Sequence, residues 1–114
     1  RSVSDARLPA HLEVAALIRA TEAAGGFATV LKRGDRDSGV ILLLTMERGG
    51  LARLWERLPR LDGRRVFEVI RTQDAGNEEE FVEYLGRRRD RDSDCWLIEL
   101  DVADAERLIA DFAR

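Results

Sequence analysis

Val40-Ile41-Leu42-Leu43-Leu44 is an apolar run of five with no polar interruption. Only a strand covered on both faces, or one at the centre of a sheet, tolerates such a run. Just before it, Gly34-Asp35-Arg36-Asp37-Ser38-Gly39 is dense in turn formers, and before that Phe27-Ala28-Thr29-Val30-Leu31 is β-rich. Residues 27–33 and 39–47 are therefore predicted to form a hairpin. Gly49-Gly50 supplies the positive φ angles of a further tight reversal. Residues 51–57 then return as a third strand, with Arg53, Trp55 and Arg57 on one face. Leu51, Leu54, Trp55 and Leu58 also fit helical spacing, but a Gly-Gly turn is too tight to suit a helix start. After Pro59 and Asp62-Gly63, the β-branched and aromatic content of Arg65-Val66-Phe67-Glu68-Val69-Ile70-Arg71 marks a fourth strand.

Helical spacing appears on either side of this meander. Pro9 suits a first helical turn, and His11, Val14, Ala15, Ile18 and Thr21, widened by Leu17, recur on one stripe that stops at Gly25-Gly26. Asn77 with Glu80 resembles a capping box for a second helix. Its first turn is acidic (Glu78, Glu79, Glu80) and Arg87-Arg88-Arg89 complements the dipole at its other end. Trp96-Leu97-Ile98-Glu99-Leu100 reads as a fifth strand with Trp96, Ile98 and Leu100 on one face. Asp101 is expected to cap a last helix in which Val102, Ala105, Leu108, Ile109 and Phe112 face inward.

The element order is α-β-β-β-β-α-β-α. It predicts an α+β two-layer sandwich: a mainly antiparallel five-stranded sheet in the order 5-1-2-3-4, with the helices mostly on one face. Leu42 and Leu44 are expected in one core with Ile98 and Phe112. The 114 residues suit a single domain, 1–114, in which 1–7 form a flexible tail.

Charge is high at 36% and uneven. Residues 47–71 carry seven basic and four acidic side chains, whereas residues 72–114 carry six and thirteen. Eighteen of the nineteen basic residues are Arg, Lys32 being the exception, a usage that follows a GC-rich genome more simply than it follows selection for anion binding. One Cys and one His leave no internal disulfide and no Cys/His metal set, and no stretch approaches a membrane span. The expectations are no cofactor, no metal, no membrane and a cytoplasmic location.

Each candidate for chemistry has a plainer structural explanation. Asp90-Arg91-Asp92-Ser93-Asp94 opens like a calcium loop, but Cys95 stands where the sharp turn demands Gly and a strand follows at once. Glu79 and Glu83 share a helix face without further oxygen ligands, and His11 lacks a nucleophile and an orienting carboxylate. Cys95 reads as packing. No catalytic residue is assigned. The better candidate is a surface: Arg53, Trp55 and Arg57 with Phe67 and Arg71 on the sheet face away from the helices. Such a face suits a second subunit, or single-stranded nucleic acid by stacking and phosphate contact.

Three segments carry a family likeness: Ala16-Leu17-Ile18-Arg19, Arg33-Gly34-Asp35-Arg36-Asp37-Ser38-Gly39, and Tyr84-Leu85-Gly86-Arg87 leading to Asp92-Ser93-Asp94-Cys95-Trp96-Leu97-Ile98-Glu99. Together they resemble the small bacterial domain-of-unknown-function 1491 family over nearly the whole chain. The family pattern has Pro where this chain has Ser93. The resemblance implies a bacterial cytoplasmic domain and transfers no mechanism. It singles out Arg33, Asp35, Asp37, Arg87, Asp92, Asp94 and Trp96 as a second candidate cluster. The functional expectation is a non-enzymatic interaction domain that self-associates as a homodimer, with an unidentified protein as a further partner. Single-stranded nucleic-acid binding comes second, and a small-molecule-binding or hydrolytic enzyme third.

Overall fold

The computed structural model describes residues 8–46 and 50–112. The expected tail and Gly49 lie outside them. Three helices and five strands follow in the expected order: α1 (Ala10–Ala23), β1 (Phe27–Lys32), β2 (Ile41–Met46), β3 (Ala52–Pro59), β4 (Arg65–Thr72), α2 (Glu78–Arg91), β5 (Trp96–Asp101) and α3 (Ala105–Phe112). Of residues 51–57, all but Leu51 belong to a strand, and Gly50 takes the positive φ of the reversal at 89°. Asn77 caps α2 by accepting from the Glu80 amide. Asp101 ends β5 and does not cap α3, whose first residue is Ala105.

The strand order is β1-β5-β2-β3-β4, with β2 and β5 parallel and the other neighbours antiparallel. The expected order 5-1-2-3-4 is corrected on one point. β5 does not add outside β1 but inserts between β1 and β2, so the expected β1–β2 hairpin is not formed. Burial explains the choice, because Trp96, Leu97 and Ile98 are all buried in succession and an edge would leave one side of them wet. The 33–40 connection arches over the start of β5 to join β1 to β2. Central β2 bears out the reading of its apolar run, pairing with β3 on one side and β5 on the other.

Two cores replace the single expected one. Ile41 and Leu43 join Trp55, Phe67, Trp96, Ile98 and Leu100 beneath Val14 and Leu17 of α1 and Ile109 of α3, with Phe112 packed against them. Leu42 and Leu44 point the other way, to Leu54, Leu97 and to Phe81 and Leu85 of α2. Successive residues of a strand alternate faces, so Leu42 and Leu44 do not share a core with Ile98 and Phe112. Two helices lie on one face and α2 on the other: the sandwich has three layers, not two.

Candidate interaction surface

The first candidate set is brought together, but inside. Trp55 and Phe67 are buried beneath α1 and α3, and the Trp55 indole donates to the buried Thr45 hydroxyl at 2.9 Å. Arg57 lies over the Phe67 ring, 4.8 Å from its centroid, and pairs with Glu13 of α1, both side chains being largely buried. Its Nε is buried without a hydrogen-bond partner among the described residues. Arg53 lies 5.7 Å from the Trp55 centroid and 3.8 Å from Glu106 of α3. Arg71 is on the opposite face, 4.1 Å from the ring centroid of Tyr84. These arginines clamp helices to the sheet, and the face expected to be open is the one that α1 and α3 cover. Beside the clamp, a cavity of about 170 Å³ is lined by both charge signs, Glu13 and Asp37 with Arg57 and Arg65.

The second set forms a real corner. The Asp35 amide donates to the Asp94 carbonyl at 2.8 Å, and the Trp96 indole donates to the Asp35 carbonyl at 2.7 Å. Arg33 sits 5.9 Å from the Trp96 centroid. A Cβ added at Gly34 or Gly39 would fall on the Asp94 carbonyl oxygen, so the loop can pass this close only as glycine. The Asp35 carboxylate accepts from the Ser38 amide and hydroxyl and the Asp37 amide. These bonds, the Ser38 amide first, hold its pKa below the usual value. Asp92 accepts from the Asp94 amide, and the Lys32 ammonium donates to the Ser93 and Cys95 carbonyls, each at 2.8 Å. The Asp37 carbonyl accepts from the Ala10 amide at the start of α1. Arg87 does not join them and stays exposed on α2, while its neighbour Arg88 makes a two-pronged pair with Glu56, which raises the Arg88 pKa. The bonds that join Asp35, Val40 and Lys32 to residues 93–96 hold the start of β5 between β1 and β2, while the Asp35 and Asp92 carboxylates brace their own turns. Cys95 is wholly buried there, and burial pushes its thiol pKa up.

What remains open is at the other side of the sheet. β1 is an edge strand, hydrogen-bonded on one side to β5. Three of its four exposed residues are apolar, the fourth being Thr29: Phe27 is 70% exposed, Val30 37% and Leu31 41%. No side chain within β1 is charged before Lys32, and that ammonium is turned onto carbonyls of the 93–95 turn. Both edges carry a bulge, β1 between Val30 and Lys32 and β4 opposite Leu54 and Trp55, but the far edge, β4, also sets Arg65, Glu68 and Arg71 among its apolar residues, charges that discourage pairing. Sequence reasoning missed the open edge because it assigned β1 to β2. The signal was the uncharged stretch Phe27-Ala28-Thr29-Val30-Leu31 itself.

Comparison with solved structures finds relatives that share this fold. A protein from Caulobacter crescentus CB15, described as a DUF1491 family protein, is 35% identical in its crystal structure, with a TM-score of 0.67 over 82% of this chain and 86% of that one. An NMR structure of a DUF1491 family protein from Caulobacter crescentus CB15 is 32% identical, with a TM-score of 0.71 over 90% and 92%. The solution structure of protein Atu0922 from A. tumefaciens is 33% identical, with a TM-score of 0.74 over 92% and 94%. No curated protein matches. The sequence profile of the family described as "Protein of unknown function (DUF1491)" matches residues 8–110. The chain belongs to the DUF1491 family.

Proposed function

We propose that this domain is a protein-interaction module that self-associates through the free edge of β1. The observation that supports it is the pairing of an uncharged strand edge with exposed Phe27, Val30 and Leu31. Unpaired strand amides and carbonyls beside apolar side chains are a template for another strand.

Charge favours a second copy in antiparallel register. The C-terminal end of the edge is basic, with the exposed Arg33 next to Lys32, whose ammonium is held by the 93–95 turn. The N-terminal end is acidic, with Glu22 just before the turn and Asp101 paired to Phe27. A two-fold axis near Thr29 sets Phe27 beside Leu31 of the second copy and brings each basic end alongside an acidic one, making a continuous ten-stranded sheet. Parallel pairing would set like ends together.

Sedimentation velocity over a concentration series tests this reading. Wild type is expected to dimerise in the micromolar range, and Val30→Lys to remain monomeric with unchanged circular dichroism. A wild type that stays monomeric at tens of micromolar overturns it, as does a dimer that Val30→Lys leaves intact. Nucleic-acid binding through Trp55 and Phe67 has no support of this kind, since both rings are buried.

A further inference from the structure

The two faces of the sheet are covered unequally. α1 and α3 share one face, whereas α2 alone packs on the other, against Leu42, Ala52, Leu54 and Leu97. No residue of β1 belongs to that second core. The register sets the uncovered part in rows. Thr29, Glu99 and Leu44 lie side by side up to Leu54, which α2 buries, and Phe27 lies beside Asp101. Met46, one residue beyond the Thr45–Leu100 pair, continues the Phe27–Asp101 row and is 54% exposed.

α2 forms the wall of this trough. Its start is tied to the Ala52 end of β3 through Gln73, which accepts from the Ala52 amide and donates to the Glu78 carbonyl. Its last turns are tied to Glu56 through Arg88. The helix thus runs along β3. Tyr84 leans to the β4 side, where Arg71 stacks on it. At 100° per residue Val82 lies on the opposite flank, the one towards β5 and β1, and it is 62% exposed. Gly86 is on the same flank, with open space around the position of a Cβ.

Size and charge both specify an occupant. α2 buries Leu97, so the open floor is β1 with the Glu99–Asp101 end of β5, two strands at about 4.8 Å spacing and ~10 Å wide there, about the diameter of one helix with its side chains. The floor and wall offer Phe27, Met46 and Val82 as apolar contacts. Around them stand Glu78, Glu99 and Asp101, none of which has an ion-pair partner among the described residues; Arg89 is the one basic side chain on the wall. We infer that the trough over β5 and β1 is a docking site for a basic amphipathic helix of another protein, laid alongside α2 as the missing second helix of that face. The site is complete within one copy, so it stands or falls separately from the pairing of β1 edges.

The test uses two fluorescein-labelled helical peptides of Ala, Leu and Lys, or Ala, Leu and Glu, with identical apolar faces, titrated into the full chain and into the Val30→Lys monomer. The Lys peptide is expected to bind both, with affinity falling as salt rises, and to shift amide resonances of β1, β5 and the Val82 flank of α2. Glu99→Lys combined with Asp101→Lys should weaken the Lys peptide tenfold or more and admit the Glu peptide. Phe27→Ser should weaken both. Equal binding of the two peptides, indifference to the charge reversal, or shifts confined to α1 and α3 on the other face would each overturn the site. So would concentration-dependent shifts of the trough without peptide in the Val30→Lys protein, since a second copy would then be its occupant.

Discussion

The indole N–H of Trp96 donates to the main-chain carbonyl of Asp35 at 2.7 Å, joining residues 61 positions apart at the mouth of β5. The bond turns a loop that would otherwise be a simple reversal into a strap over the incoming strand. Replacing Trp96 by Phe keeps most of the ring and removes the donor. The expected loss is about 1–3 kcal/mol, the cost of leaving a partly buried acceptor unmet together with some lost packing, measured by the denaturant midpoint. A change below a few tenths of a kcal/mol would mean that the strap is held by its glycines alone.

Gly34 and Gly39 should behave quite unlike Gly86. A methyl group at either loop position meets the Asp94 carbonyl, which is backbone and cannot step aside, so Gly34→Ala and Gly39→Ala are expected to lower Tm sharply or to prevent folding. Gly86 sits inside α2 with nothing near its missing Cβ. Gly86→Ala should raise stability by about 0.5–1 kcal/mol from helix propensity alone.

The Glu13–Arg57 pair ties α1 to β3 with side chains only 16% and 15% exposed. Breaking it from one side leaves a buried charge, so Glu13→Gln is expected to cost about 3 kcal/mol in equilibrium unfolding. Removing both charges in Glu13→Leu with Arg57→Met should fall within about 1 kcal/mol of wild type, because the desolvation cost of the pair disappears with it. If the double variant is the worse of the two, the pair contributes more than its desolvation takes away.

Cys95 gives a pH signature. Its thiol is buried and its pKa stands above the ordinary 9.0, burial being the main cause and the nearby Lys32 ammonium working the other way. The folded state therefore prefers the neutral thiol. That contribution is fully present below the ordinary thiol pKa and is lost as pH rises through the higher folded value. Stability should fall in alkaline solution, and Cys95→Val should flatten that fall. Native protein should react with iodoacetamide far more slowly than unfolded protein.

Much of the fold could be read from residue patterns, and the errors have physical causes. Val40 to Leu44 announced a central strand, and its alternation already required something apolar on each side. The two-layer expectation gave it only one cover. The insertion of β5 is hidden in the sequence because Trp96, Ile98 and Leu100 form an evident face, and the buried Leu97 between them is what makes an edge position untenable. Arg53 and Arg57 look the same in sequence whether their heads meet water or a helix carboxylate. Their partners, Glu106 and Glu13, are distant in the chain and show no periodic relation to them. The corner of Arg33, Asp35, Asp94 and Trp96 was visible as short segments, but its common location depended on a strand order that local patterns do not set.

Placing the last strand in the middle of the sheet has a consequence for synthesis. While the ribosome has delivered only β1 to β4, β1 has no strand neighbour and the free side of β2 is bare, because the strand that pairs with both is still inside the exit tunnel or not yet made. The nascent chain must hold an apolar β2 edge exposed until residues near 101 emerge, and then close its longest-range contacts in one step. Such late, non-local closure slows folding and leaves time for wrong pairings. A rearranged gene that places β5 before α1, with the old termini joined, would let the centre of the sheet assemble first and should refold faster from denaturant at comparable stability.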